Sequence, residues 1–471
     1  MSNSRIVAAL VLSLTIALGI SCGLRAAEPL EAGIAFVEIT PPTPFRMSGY
    51  FYERLSTGTK DPLYARAIVL HQGNEKAALV FCDLVGVTRE ISQPARERAS
   101  HDTGIPVEHI AVTGTHTHTG PLYFSSLHDE FHELAAKAHG TDPYDSAPYR
   151  AALTDKVADA IVQANASLAL VELKSGYAQE TRLAFNRRFY MKDGSVKFNP
   201  PINSPDIIRP AGPIDPQVGV VLLSKPGEKD PLAGIISFAM HLDTTSGTLF
   251  SADYVNSLNI RLQKTFGPDF KTLFGTGTCG NINHRDVTKE KQREADEIGQ
   301  MLGDTVADAI QKGEIKADGD PALAVRSTKV SAELQEYSAD EIAKATDKMP
   351  HVAAREIGML EAAQACKITD VERLKKSRFP GELEVQAVRL NHETAIVLLP
   401  SEIFVEFGLA IKAASPFKTT LVVELANDDL AYIPTKRAFA EGSYEVTNSR
   451  VQPGTGEKLA DAAIALLKEL Q

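Results

Sequence analysis

Ile110-Ala-Val-Thr-Gly-Thr-His116-Thr-His118-Thr-Gly-Pro121 runs from an apolar stretch straight into a His-x-His pair. Successive side chains of a strand alternate faces, so His116 and His118 are expected to point the same way, toward one ion or one substrate group. Threonine-rich strand ends are common, and two histidines can equally sit solvated on a loop. The rest of the chain has to decide between these readings.

The chain has 471 residues, 44% of them hydrophobic, enough for a large core. Lys and Arg number 49 against 60 Asp and Glu, a net charge of −11, with no basic run. That balance argues against a nucleic-acid partner and for small-molecule chemistry, and nothing points to an obligate protein partner. Near the N-terminus, Arg5 precedes an apolar run, Ile6 to Ile20, and small residues ending in Ala26-Ala27. This is the layout of a secretory signal over residues 1–26, and it predicts an exported, periplasmic or extracellular protein. Cys22 invites a lipoprotein reading, which Gly19-Ile20-Ser21 supports poorly. The other cysteines, Cys82, Cys279 and Cys366, form neither a disulfide framework nor a zinc-finger spacing. A metal would have to be held by histidine and oxygen ligands.

Apolar runs predict strands at Gly33–Ile39, Ala65–His71, Ala77–Cys82, Ile110–Thr115, Val218–Leu223, Ala233–Met240, Leu383–Leu390, Ala395–Leu399 and Thr420–Leu425. Turns at Gly73-Asn74, Pro226-Gly227 and Asn391-His392-Glu393 join several of them as hairpins. Helical spacing covers Thr88–Ser100, Tyr149–Ala166, Tyr254–Phe266, Lys289–Gln311, Ala339–Ala365 and Lys458–Leu470. The expected fold is therefore mixed α/β (α+β), with largely antiparallel sheets flanked by helices. Lys316 to Pro380 reads as a helical elaboration, no internal repeat is evident, and residues 27–471 read as a single catalytic domain.

Polar residues recur just after strand runs, where loops on a rigid scaffold carry function. His241 follows Ile235–Met240, Glu402 follows Ile396–Ser401, and Tyr432 comes shortly after Leu421–Leu425. Singly, each is better explained as a core or surface histidine, a first-turn acid and a packing aromatic.

Jointly, they resemble the catalytic domain of the neutral/alkaline (non-lysosomal) ceramidases. That family's Thr-His-Thr-His-Ser-Gly-Pro segment is matched by Thr115–Pro121, with Thr119 in place of serine. Its Asn-Arg segment is matched by Asn186-Arg187, and its His-Pro-Thr segment, loosely, by His241-Leu242-Asp243-Thr244. Its Pro-Gly-Glu turn is matched by Pro400-Ser401-Glu402, and its Tyr-Ile and Tyr-Glu pairs by Tyr432-Ile433 and Tyr444-Glu445. The resemblance runs from about Gly33 to about Glu445, and the helical stretch before Glu382 carries none of it.

The resemblance implies zinc as cofactor, with His116, His241, Glu402 and Tyr432 as ligands and His118, Arg187 and Tyr444 as catalytic residues. Two imidazoles and a carboxylate suit catalytic zinc, which lowers the pKa of a bound water toward neutrality. A tyrosine ligand is unusual, because a free phenol ionises near pH ~10. The implied reaction is hydrolysis of an amide of an N-acyl substrate, a ceramide or related lipid amide met in solution or at a membrane surface. His118 would shuttle the proton, and Arg187 or Tyr444 would stabilise the oxyanion.

The departures from the family pattern matter too. Gly280-Asn281-Ile282-Asn283-His284 stands where the family has Gly-Asp-Val-Ser-Pro, and Asn283 cannot attack a carbonyl as serine does. The chain ends soon after Glu445, so the β-rich C-terminal domain of family ceramidases is expected to be absent. Two other readings are a binding protein that kept the fold without catalysis and a metal-dependent amidohydrolase or esterase acting on a non-lipid substrate. An amidohydrolase barrel also opens its site with His-x-His, but the hairpins fit that fold poorly. His132-Glu133 begins a zincin motif whose second histidine is missing.

Overall fold

The computed structural model describes residues 28–317, 319–377 and 379–471. The expected export segment and Cys22 lie outside these residues. All nine expected strands form, in three larger sheets.

One order of elements occurs three times. In the first unit Glu31–Glu38 pairs antiparallel with Tyr64–Gln72, which turns through Gly73-Asn74 into Glu75–Cys82. The helix Arg89–Thr103 then crosses over to Ile110–Gly114, parallel to Glu75–Cys82, and the helix Ala147–Ala166 closes the unit. The second unit repeats this with Glu172–Gln179, Gln217–Ser224, Ala233–Phe238, helix Tyr254–Phe266, the parallel strand Lys271–Thr276 and helix Ala295–Gln311. The third uses Pro321–Ser331, Glu382–Asn391, Thr394–Leu398, helix Val405–Ala414, the parallel strand Thr419–Val423 and helix Thr455–Glu469. The sequence shows no internal repeat, so this one is topological.

Burial explains why the strands read as continuous apolar runs. Ala78 and Val80 face the unit's own helices, while Ala77, Leu79 and Phe81 face a central core. The second sheet divides in the same way, with Val218, Val220 and Leu222 outward and Val221 and Leu223 inward. In the third, Val385 and Ala387 face outward and Val388 and Leu390 inward. All three inner faces meet in one cluster. Each buried Val, Leu or Ile is worth about 1.5–3 kcal/mol, so this shared core fixes the three units against one another and places their strand ends together.

Three expectations are corrected in detail. The Lys289–Gln311 helix starts only at Ala295, because Asp286 and Gln292 tie the preceding residues into a loop through Asp286 N to Gln292 Oε1 (2.8 Å). Ala339–Ala365 is two helices, Ala339–Ala353 and Met359–Lys376, broken where Arg355 takes a left-handed backbone (φ 61°). The Lys316–Pro380 stretch is not wholly helical. It opens with the strand Pro321–Ser331, whose charged residues sit on an exposed edge and mask the alternation of Leu323, Val325 and Val330.

Each unit also makes an excursion between its first two strands, over residues 39–63, 180–216 and 332–381. All three rise over the same end of the molecule, and Phe51, Phe198 and Val352 meet in the wall of one cavity there.

Candidate metal centre

The first unit supplies His116 and His118 just beyond Ile110–Gly114. The strand has ended before them and His116 takes φ 73°, so a loop, rather than the expected pleat, brings the two rings together. His116 N donates to Leu84 O (2.8 Å), and its Nδ1 lies 2.6 Å from Val85 O, which turns Nε2 inward. The second unit supplies His241, fully buried beyond Ala233–Phe238 and tied to the first loop by His118 N to Leu242 O (2.9 Å). The third supplies Glu402, turned inward after Ser401 (φ 67°), and Tyr432, its partner in a short parallel ladder after Ala431 (φ 55°). Left-handed residues therefore stand at or directly before His116, Glu402, Tyr432 and, through Ser443 (φ 81°), Tyr444. Such backbone costs of order 1–3 kcal/mol per residue and persists where surrounding structure imposes it, characteristically at functional sites.

The donor geometry suits an ion. Glu402 Oε2 lies 3.3 Å from His116 Nε2 and 3.3 Å from His241 Nε2, and His118 Nε2 lies 3.4 Å from His116 Nε2. Donors around a tetrahedral ion with bonds of about 2.0–2.1 Å stand about 3.4 Å apart. Nitrogens of the three imidazoles all lie within 4.8 Å of one another. Among the described residues, His241 Nε2 and Glu402 Oε2 are buried without a hydrogen bond, an arrangement costly unless something else binds them.

The electrostatics agree. Burial pulls His116 down, but Glu402 outweighs it and raises the imidazole to about 9. Burial opposes ionisation of Glu402, yet His116 and His241 hold its carboxyl well below the usual range. A positive charge is thus favoured between these groups, and either a proton or a cation can supply it. Burial, with the charge of His116, lowers His118 to about 3, and burial with Arg187 lowers His241 to about 4.

Behind His241, Nδ1 meets Cys279 Sγ at 3.2 Å, and Cys279 Sγ donates to Glu424 Oε1 (3.1 Å). The other Glu424 oxygen accepts from Cys279 N (3.2 Å) and Ile403 N (2.7 Å), linking the second unit to the Glu402 turn. Outer partners of this kind fix a ligating ring's orientation and tautomer. Sequence reasoning missed Cys279 and Glu424. An acid ending the run Leu421-Val422-Val423, and a cysteine shortly after Lys271–Thr276, were the only signals.

Arg187 is buried beside the centre. Its Nε donates to Glu445 Oε1 (3.0 Å) and its Nη2 to Gly280 O (2.7 Å), while its guanidinium lies 5.3 Å from the Tyr432 ring and 6.0 Å from that of Tyr444. Tyr432 stands nearly parallel to His241 (8°, centroids 6.4 Å apart) and edge-on to Tyr444 (5.5 Å). Burial and Glu402 raise its phenol well above the usual value. Thus His116, His118, His241, Glu402, Tyr432, Arg187 and Tyr444 all converge. Asn283, at the family's serine position, is absorbed in its loop, donating to Asn199 Oδ1 (3.2 Å) and accepting from Arg285 N (3.1 Å).

No protein-family model and no curated protein matches the sequence. Solved structures do match in fold. The crystal structure of neutral ceramidase from Pseudomonas aeruginosa superposes with a TM-score of 0.69 at 18% identity, over 94% of this chain and 74% of that one. A ceramidase complexed with C2 gives 0.69 at 16% identity, over 94% and 75%. The chain therefore has the fold of the neutral ceramidases.

Proposed function

We propose that the protein is a zinc-dependent hydrolase that cleaves the amide bond of an N-acyl lipid substrate, acting outside the cytoplasm as its N-terminal segment suggests. The observation that carries this reading is the buried set His116, His241 and Glu402, two members of which have atoms left without hydrogen bonds. These three residues, with Tyr432 beside them, would hold the ion. Zinc bound there supplies an activated water near neutral pH and polarises a carbonyl.

His118 is the one imidazole of the three that lines the larger cavity, and its Nδ1, which has no hydrogen bond among the described residues, can take and return a proton. Arg187 and Tyr444, in the same wall, offer donors to a carbonyl oxygen as it gains charge. With Asn283 engaged in its loop, no acyl-enzyme on that residue is part of the scheme.

Elemental analysis of the purified protein is expected to find about one zinc per chain. Fatty acid should be released from short- and long-chain N-acylsphingosines, cease on chelation and return with added zinc. Zinc without turnover would leave the centre and favour the binding-protein reading. Absence of zinc would overturn the mechanism.

Gly49 gives a separate test of His118. It takes φ 100°, and a Cβ there would lie 2.6 Å from His118 Cβ and 2.7 Å from His118 O. Gly49→Ala must therefore push His118 and the Gly49 backbone apart. The expected result is turnover lower by about 100-fold with zinc content unchanged, read by assay and elemental analysis on the same preparation. Unchanged turnover in His118→Ala at the same zinc content would remove His118 from the proton-transfer role.

A further inference from the structure

Two chambers open from the centre, sharing Phe51, His118, Tyr432 and Tyr444 in their walls. The larger, about 490 Å³, is lined by Tyr52, Phe198, Val352, Ile357 and Met359, and it suits an acyl chain. The smaller, about 150 Å³, reaches His116 and Glu402 and has Asp370, Arg373, Asp429 and Arg450 in its wall. It falls well below the roughly 300–1,000 Å³ of a drug-sized ligand pocket. Leu122, Phe124, Leu127 and Leu374 share this wall, and a compact amine-side group fills such a space more closely than a second long chain would.

The charged groups of this wall are not equally satisfied. Asp370 accepts from Ser126 N (2.6 Å) and pairs with Arg450, which also donates to Asn448 O (2.9 Å). Asp429 Oδ1 accepts from Ala431 N (2.8 Å). Arg373 alone makes no side-chain hydrogen bond among the described residues. Its nearest acids are Asp370 Oδ1, 3.6 Å from Nε, and Glu90 Oε1, 3.8 Å from Nη1, and its Nε is buried. A guanidinium is a planar fork of donors matched to a carboxylate, and a buried N–H without an acceptor is costly.

We propose that Arg373 binds a carboxylate on the amine side of the substrate, so that the amides cleaved are N-acyl amino acids with a small amino-acid part. This rests on the hydrolase reading above and narrows its substrate class. Hydrolysis breaks the C–N bond. Water gives its oxygen to the acyl carbon and a proton to the nitrogen, releasing a fatty acid and an amino acid.

The test compares N-lauroylglycine, N-lauroylethanolamine and N-lauroylsphingosine on the zinc-loaded full chain. A charged hydrogen-bonded pair is worth about 1.5–3 kcal/mol, so kcat/KM for N-lauroylglycine is expected to exceed that for the ethanolamide by at least about tenfold. Arg373→Met should lose that advantage while its ethanolamide turnover, which also reports correct folding, changes by less than about twofold. In zinc-stripped protein, calorimetry should show the same preference for N-lauroylglycine, again lost in Arg373→Met. Equal or better use of either neutral-headgroup amide, or an unchanged preference in the variant, would overturn this proposal and leave the hydrolase reading intact. Failure to turn over any of the three would overturn the hydrolase reading, and the calorimetric comparison would still decide the role of Arg373.

Discussion

His241→Ala is expected to yield a folded protein that retains essentially no zinc and hydrolyses N-acyl amides at least about a thousandfold more slowly, a barrier increase of about 4 kcal/mol. His241 is fully buried, so no solvent-borne group can substitute for it, and its Nε2 is one of the unpartnered donors. The ring also joins the centre to Cys279 and, through it, Glu424. Removing it leaves His116 and Glu402 with Tyr432, whose phenol is pushed well above its usual value by burial and Glu402, where catalytic zinc sites use three protein ligands ready to bind. Elemental analysis, an amide-hydrolysis assay and circular dichroism on one preparation check the three parts of the statement. Full zinc occupancy in this variant would remove His241 from the ligand set.

Glu445→Ala carries the largest expected cost in stability. One fully buried carboxylate accepts from Arg187 Nε (3.0 Å) and Arg188 Nη1 (2.8 Å), and both arginines are themselves 2% exposed. Truncating the acid leaves Arg187 with the carbonyl of Gly280 and Arg188 with Glu441 (3.3 Å) and Gly442 O (3.0 Å), and breaking a buried pair in this way costs about 3–5 kcal/mol. The urea midpoint should fall accordingly. Glu445→Gln, which keeps the shape and one acceptor, should lie between the two proteins. Because Arg187 rests against Tyr432 and Tyr444, hydrolysis should fall in both variants. An unchanged midpoint in Glu445→Ala would show that the arginines find other acceptors or water.

The strands of the inner sheets were legible because helices cover one face and the central core the other, leaving uninterrupted apolar runs. Glu172–Gln179 and Pro321–Ser331 were not, since edge positions intersperse Lys, Ser and Arg among the apolar residues. The His-x-His pair, His241, Glu402 and Tyr432 stood out because each follows an apolar run. Arg373 carried no such mark. It sits in a charged helix whose inner face becomes visible only once Met359–Lys376 packs over the smaller chamber. The repeat escaped notice for a related reason. Three units can share a wiring order without sharing side chains, because a sheet buried on both faces asks only for apolar residues of suitable size.

The distribution of the donors over the repeat has a consequence for when the centre can exist. His116, His241 and Glu402 come from the first, second and third units in turn, so no nascent or clipped chain lacking one of them holds a full set. An ion bound by all three acts as a clasp across chain segments more than a hundred residues apart. It would favour the assembled state by RT ln(1 + [Zn]/Kd), about 4 kcal/mol at a thousandfold excess over Kd. Occupancy would thus act as a proofreading signal, arming hydrolysis only in molecules whose three parts have come together.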